Sequence, residues 1–139
     1  MKWFVLDASV ALAWFLDRPT APYADHVRQL LLRGARAVVP TLWQLEIANG
    51  FVVAERRGIL TPAETAEALQ NLDVIIAQAI ESSRDPVPMR GILAAAREFR
   101  LTAYDAIYLE TALRQGLPLA TLDRQLRTAA SKAGVEIVP

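Results

Sequence analysis

The chain opens on an unbroken apolar run, Trp3-Phe4-Val5-Leu6, that ends at Asp7. A short continuous run suits a strand covered on both faces of a parallel sheet; a half-exposed strand would alternate. Ser9 to Leu16, "SVALAWFL", reads as a helix, broken by Asp17-Arg18-Pro19. Helical spacing resumes over Tyr23 to Arg33 through Tyr23, Val27, Leu30 and Leu31, with Gly34 as its C-cap. Ala37 to Pro40 is a second strand, and Leu42 to Arg57 has helix length before Gly58. Thr61-Pro62-Ala63-Glu64 then starts another helix, with a capping threonine, proline at the first helical position and glutamate placed to close a capping box.

Val74 to Ser83 is ambiguous in period and is read as a helix end followed by a strand near Ala79 to Ser82. The two prolines of Asp85-Pro86-Val87-Pro88 push their predecessors out of the helical region, so this segment is a connection. Met89 to Arg100 and Thr102 to Gln115 read as helices, Leu119 to Thr121 as a strand, Asp123 to Ala133 as a helix and Val135 to Val138 as a last strand. Strands that alternate with helices predict βαβ units around a parallel sheet, an α/β fold with helices on both faces. At 139 residues, with no linker-like tract, residues 1–139 are expected to form one domain.

Composition narrows the chemistry. The chain is 53% hydrophobic with formal net charge +0, enough apolar material for a core and no global bias toward nucleic acid or membrane. Lysine occurs only at Lys2 and Lys132, so the cations are mostly arginine, the side chain suited to bidentate anion recognition. There is no cysteine, which excludes disulfides and thiolate metal sites, and the one histidine, His26, lies on a helix between arginines, where a solvated surface role is expected. No signal peptide or membrane span is read, and a cytoplasmic protein is expected.

The carboxylates carry the functional signal. Ligands of an open parallel sheet bind beyond the carboxyl ends of its strands. Asp7 ends the first strand, Asp123 follows Leu119 to Thr121, and Asp105 lies in the first turn of the helix that begins at Thr102. Each has a plain alternative: Asp7 and Asp123 can cap helices, and Thr102 with Asp105 has capping-box spacing. Glu46 is mid-helix, where no cap is needed. At about 100° per residue, Leu42, Leu45, Glu46, Asn49, Val52 and Val53 share one side of their helix, so the carboxylate interrupts an apolar stripe. Tyr108, Leu109 and Ala112 likewise share the side of Asp105. A buried carboxylate needs a partner, either an arginine or a cation. Four acids meeting at one end of a sheet favour a divalent ion, and all-oxygen donors suit Mg²⁺ or Mn²⁺. That chemistry serves phosphodiester cleavage.

Four segments in this order, "VLDASVALAWF" (Val5 to Phe15), "LWQLEIANGF" (Leu42 to Phe51), "LTAYDAIYLETA" (Leu101 to Ala112) and "LPLATLDRQL" (Leu117 to Leu126), resemble PIN-domain ribonucleases of the VapC toxin type. The resemblance implies a three-layer α/β/α domain with a parallel sheet of about five strands. It implies an acidic pocket formed by Asp7, Glu46, Asp105 and Asp123 that holds Mg²⁺ or Mn²⁺ for metal-assisted hydrolysis of RNA without a covalent enzyme intermediate. Thr121 would orient a carboxylate or water, with Ser9 and Asn49 in support. It further implies a homodimer and a cognate antitoxin. The helix carrying Glu46 is apolar on its other side too, at Ile47, Phe51 and Ala54, and so needs two partners. RNA approaching an acidic pocket calls for cations at its rim, and Arg90, Arg97, Arg100 and Arg124 are the candidates. A PIN nuclease of RNA processing outside a toxin pair, a phosphoacceptor domain and an interaction module are the competing readings; the phosphoacceptor would want a second acid beside Asp7 and a lysine after the last strand, and neither is present.

Overall fold

The computed structural model describes residues 2–139. The apolar opening run forms β1 (Trp3–Leu6), and Phe4, Val5 and Leu6 are buried as a strand with both faces covered should be. The chain continues through α1 (Ala8–Leu16), α2 (Pro22–Leu32), β2 (Arg36–Val39), α3 (Leu42–Arg56), α4 (Pro62–Ala79) and β3 (Ile80–Ser82). It closes with α5 (Met89–Phe99), α6 (Ala103–Gln115), β4 (Leu119–Ala120) and α7 (Arg124–Ala133). Among the described residues seven helices thus flank one sheet, whose strand order is β3-β2-β1-β4.

Every strand pair is parallel, with Val5 opposite Val38 on one side and opposite Leu119 on the other. From β1 the chain steps outward to β2 and β3, then returns to place β4 on the opposite flank of β1. The winding therefore reverses between β1 and β4, and the carboxyl ends of these two strands flank the crevice that a doubly wound sheet offers to a ligand. The segment Thr61 to Glu64 forms the reciprocal capping box at the start of α4, and the ambiguous stretch after Val74 resolves into the end of α4 and the short edge strand β3. Among the described residues no helix is long and apolar enough to cross a membrane.

Among the described residues the sheet has four strands, and Val135 to Val138 adds a single parallel bridge from Ile137 to Leu119, in keeping with the approximate count of five. Its neighbour β4 is two residues long and follows Pro118, which leaves little ladder for another strand to pair with. One expectation, which concerns α3, is corrected. Its buried residues are Trp43, Ile47, Phe51 and Ala54, whereas Leu45 is 67% exposed and Val52 42% exposed. Leu45 and Val52 lie on the outer face, while Leu42 packs against the core, so Glu46 does not interrupt the core; it stands at the margin between the two faces, half-buried.

Candidate functional site

Asp7, Glu46, Asp105 and Asp123 line one cavity of about 300 Å³, together with Ser9, Asn49, Leu12 and Gly50. They arrive from four elements. Asp7 leaves the carboxyl end of β1, where its amide donates to Ala120 O at 3.0 Å and ties it to β4. Asp123 follows β4, Asp105 occupies the first turn of α6, and Glu46 projects from α3.

The capping alternatives separate these acids. Asp7 occupies the N-cap position of α1, yet its side chain makes no capping hydrogen bond. Instead Ser9 Oγ and Thr121 Oγ1 each donate to Asp7 Oδ2 at 2.7 Å. Thr121 is fully buried and also accepts from the Asp123 amide at 3.0 Å, so one threonine hydroxyl positions two acids. Ser9 Oγ in turn accepts from the Leu122 amide at 3.1 Å. Asp123 does cap α7, through Oδ1 accepting from Leu126 N at 2.8 Å, and this leaves Oδ2 outside the cap. At α6 the threonine half of the capping box forms, with Asp105 N donating to Thr102 Oγ1 at 3.1 Å. Asp105 does not return the bond as Glu64 does to Thr61 in α4, so its carboxylate is left to the cavity.

Glu46 is held by a residue whose part the sequence did not reveal. Tyr108, fully buried on α6, donates its hydroxyl to Glu46 Oε1. In the sequence Tyr108 reads as one more apolar residue on the side of Asp105; its signal is the phenol three residues after an acid, since a buried tyrosine hydroxyl requires a partner. Asn49 is exposed at the cavity lining. His26 is exposed on α2, as expected.

The electrostatics are those of an unneutralised acid cluster. Asp7 is 5% exposed, and its burial raises its pKa against the pull of the Ser9 and Thr121 hydroxyls, with Asp123 adding repulsion. Burial likewise raises Glu46 against the Tyr108 hydrogen bond, with repulsion from Asp7 and Asp105. Asp105 is raised by burial and then by Asp123 and Asp7. The Tyr108 phenol is pushed far up by burial and by the Glu46 carboxylate that it serves, and so remains a donor. Among the described residues no arginine or lysine forms an ion pair with any of the four acids.

This donor set fits a hard divalent ion in chemistry. The described residues contain no group of three or more acids or histidines close enough to hold an ion by themselves. Mg²⁺ is ordinarily held through one or two carboxylates, with waters and a substrate phosphate completing its shell.

The proposed arginines divide. Arg100 and Arg124 line a second cavity of about 290 Å³ beside the acidic one, whereas Arg90 and Arg97 are exposed on α5 and line neither.

An α/β domain with an acidic cavity at the switch point of a parallel sheet is the class that fold and site define. The PIN domain family model matches residues 4–132, and the chain belongs to that family, whose fold is generally that of a nuclease. Among solved structures it is similar to PAE2754 from Pyrobaculum aerophilum, with 25% identity over 93% of this chain and 79% of that one and a TM-score of 0.68. No curated protein matches the sequence.

Proposed function

We propose that this protein is a Mg²⁺- or Mn²⁺-dependent endoribonuclease that acts in the cytoplasm as the toxin of a toxin-antitoxin pair. The observation that supports the reading is the gathering of Asp7, Glu46, Asp105 and Asp123 around one cavity with no cationic partner among the described residues. Membership of the PIN family agrees with it. When bound, the divalent ion supplies a more acidic water and offsets the charge that builds on phosphate during in-line hydrolysis.

The protein's own residues prepare the cavity. Asp7 and Asp123 would hold the ion, since Thr121 sets both at the β1 and β4 carboxyl edge. Glu46 and Asp105 face them from α3 and α6, with Tyr108 fixing the Glu46 carboxylate. Ser9 keeps Asp7 aligned and Asn49 offers an amide at the rim. The outer face of α3, with Leu45 and Val52 exposed, supports the partner part of the reading, a cognate antitoxin and a second copy of the chain.

RNA cleavage by the purified protein in Mg²⁺ or Mn²⁺ tests the enzyme, with EDTA, Asp7→Asn and Asp105→Asn as controls. Activity that survives both substitutions or ignores EDTA sinks it. Growth arrest on expression, relieved by Asp7→Asn, tests the toxin; equal tolerance of both forms removes that part while leaving the nuclease.

A further inference from the structure

Arg100 and Arg124 share their cavity with Lys132, Gln125, Thr128 and Phe99, and no carboxylate lines it. Arg124, Thr128 and Lys132 recur every four residues along α7, so they lie on one face of that helix. Among the described residues none of the three cations is in an ion pair. The cavity adjoins the acidic one through the chain itself, since Asp123 lines one and Arg124 the other, and Arg100 stands just before the Leu101-Thr102 lead into α6.

Two of these cations sit where local physics disfavours them. Arg100 ends α5 in the left-handed region at φ 54°, the one non-glycine residue with positive φ among those described. The equivalent C-caps of α6 and α7 are Gly116 and Gly134, the residue type that adopts this conformation without crowding its Cβ. Arg124 is the first residue of α7, where a cation opposes the helix dipole. A strained position that persists in a fold points toward function.

We propose that Arg100, Arg124 and Lys132 form a phosphate track for single-stranded RNA that leads away from the acidic cavity, a refinement that rests on the nuclease reading. The track grips the backbone without reading bases.

The test is fluorescence anisotropy of a labelled single-stranded RNA on the full chain, in Mg²⁺, with Asp7→Asn as background to prevent cleavage. Arg100→Gly, Arg124→Gln and Lys132→Gln each weaken binding about fivefold at 0.1 M salt, and the triple variant flattens the dependence of log K on log salt by about 2, from about 0.7 per phosphate contact. Arg33→Gln, on the exposed end of α2, leaves binding unchanged. Arg100→Gly also raises Tm, because glycine relaxes the left-handed cap, and this separates a ligand contact from a folding role. Unchanged affinity in the triple variant, or affinity lost only in step with a lowered Tm, overturns the track while cleavage by the unsubstituted chain keeps the nuclease reading. An unsubstituted chain that neither binds nor cleaves RNA overturns both.

Discussion

Asp7 receives hydroxyl hydrogen bonds from both Ser9 and Thr121, and these offset only part of the penalty of its burial. Asparagine keeps the size and one acceptor oxygen while removing the charge. Asp7→Asn is therefore expected to abolish cleavage, a loss beyond the roughly hundredfold that removal of an outer partner produces. In EDTA the same variant is expected to melt higher than the unsubstituted protein at pH 7.5, because it deletes a desolvated charge; a lower Tm would show that the hydroxyls, not the cation, are its sufficient partners. Tyr108→Phe tests the opposite kind of residue. Loss of its hydrogen bond to Glu46 is expected to destabilise the fold by about 1 kcal/mol. Freeing the carboxylate is expected to raise the Mg²⁺ concentration for half-maximal activity by about tenfold or more, read by metal titration, with kcat at saturation less affected.

At the scale of the element, the two apolar faces of α3 are expected to differ sharply in what they contribute to stability. Ile47 is 4% exposed, so Ile47→Ala is expected to cost about 2–5 kcal/mol in urea unfolding. Leu45→Ala, on the outer face, is expected to change stability by less than about 0.5 kcal/mol in the isolated chain. The sequence could not order these two, since Leu42, Leu45 and Val52 are as apolar as Ile47, Phe51 and Ala54 and a helical period has no preferred side. Helix starts were legible where the signal is local, as at Thr61 with Glu64 and Thr102 with Asp105. How much of Val135 to Val138 pairs was not, because pairing depends on how much ladder a distant neighbour presents. The four acids could be picked out as charges beside strand ends and apolar stripes, and they do share a cavity. The bond between Tyr108 and Glu46 joins α6 to α3 across 62 residues and has no footprint in either helix alone.

For the whole molecule, the raised pKa values of Asp7, Glu46 and Asp105 couple folding to pH and to cation. A carboxyl raised in the folded state binds more protons there than in the unfolded chain, so unfolding free energy falls as pH rises. Their contribution is fully present below the ordinary values, 3.8 for the aspartates and 4.5 for Glu46, and is lost as pH climbs through the raised folded values. Metal-free protein is thus expected to gain from these groups at mildly acidic pH relative to pH 7.5, measured by denaturant titration across that range. Mg²⁺, when bound, is expected to offset the repulsion among these charges and so reverse their effect on stability. At about 100 times its dissociation constant it is expected to add about 2.7 kcal/mol at neutral pH, and this increment should vanish in Asp7→Asn.

Thr121 is one hydroxyl serving two acids that stand on either side of it in the fold, Asp7 across the sheet and Asp123 along the chain. Asp123 in turn secures α7 with one oxygen. The cavity and the last helix therefore share an anchor, and their evolutionary fates differ by residue. Under relaxed selection Asp7 has no duty outside the cavity, since its side chain caps no helix, whereas Asp123 is retained for the helix it caps. A lineage that has lost cleavage should keep the second aspartate long after the first has gone.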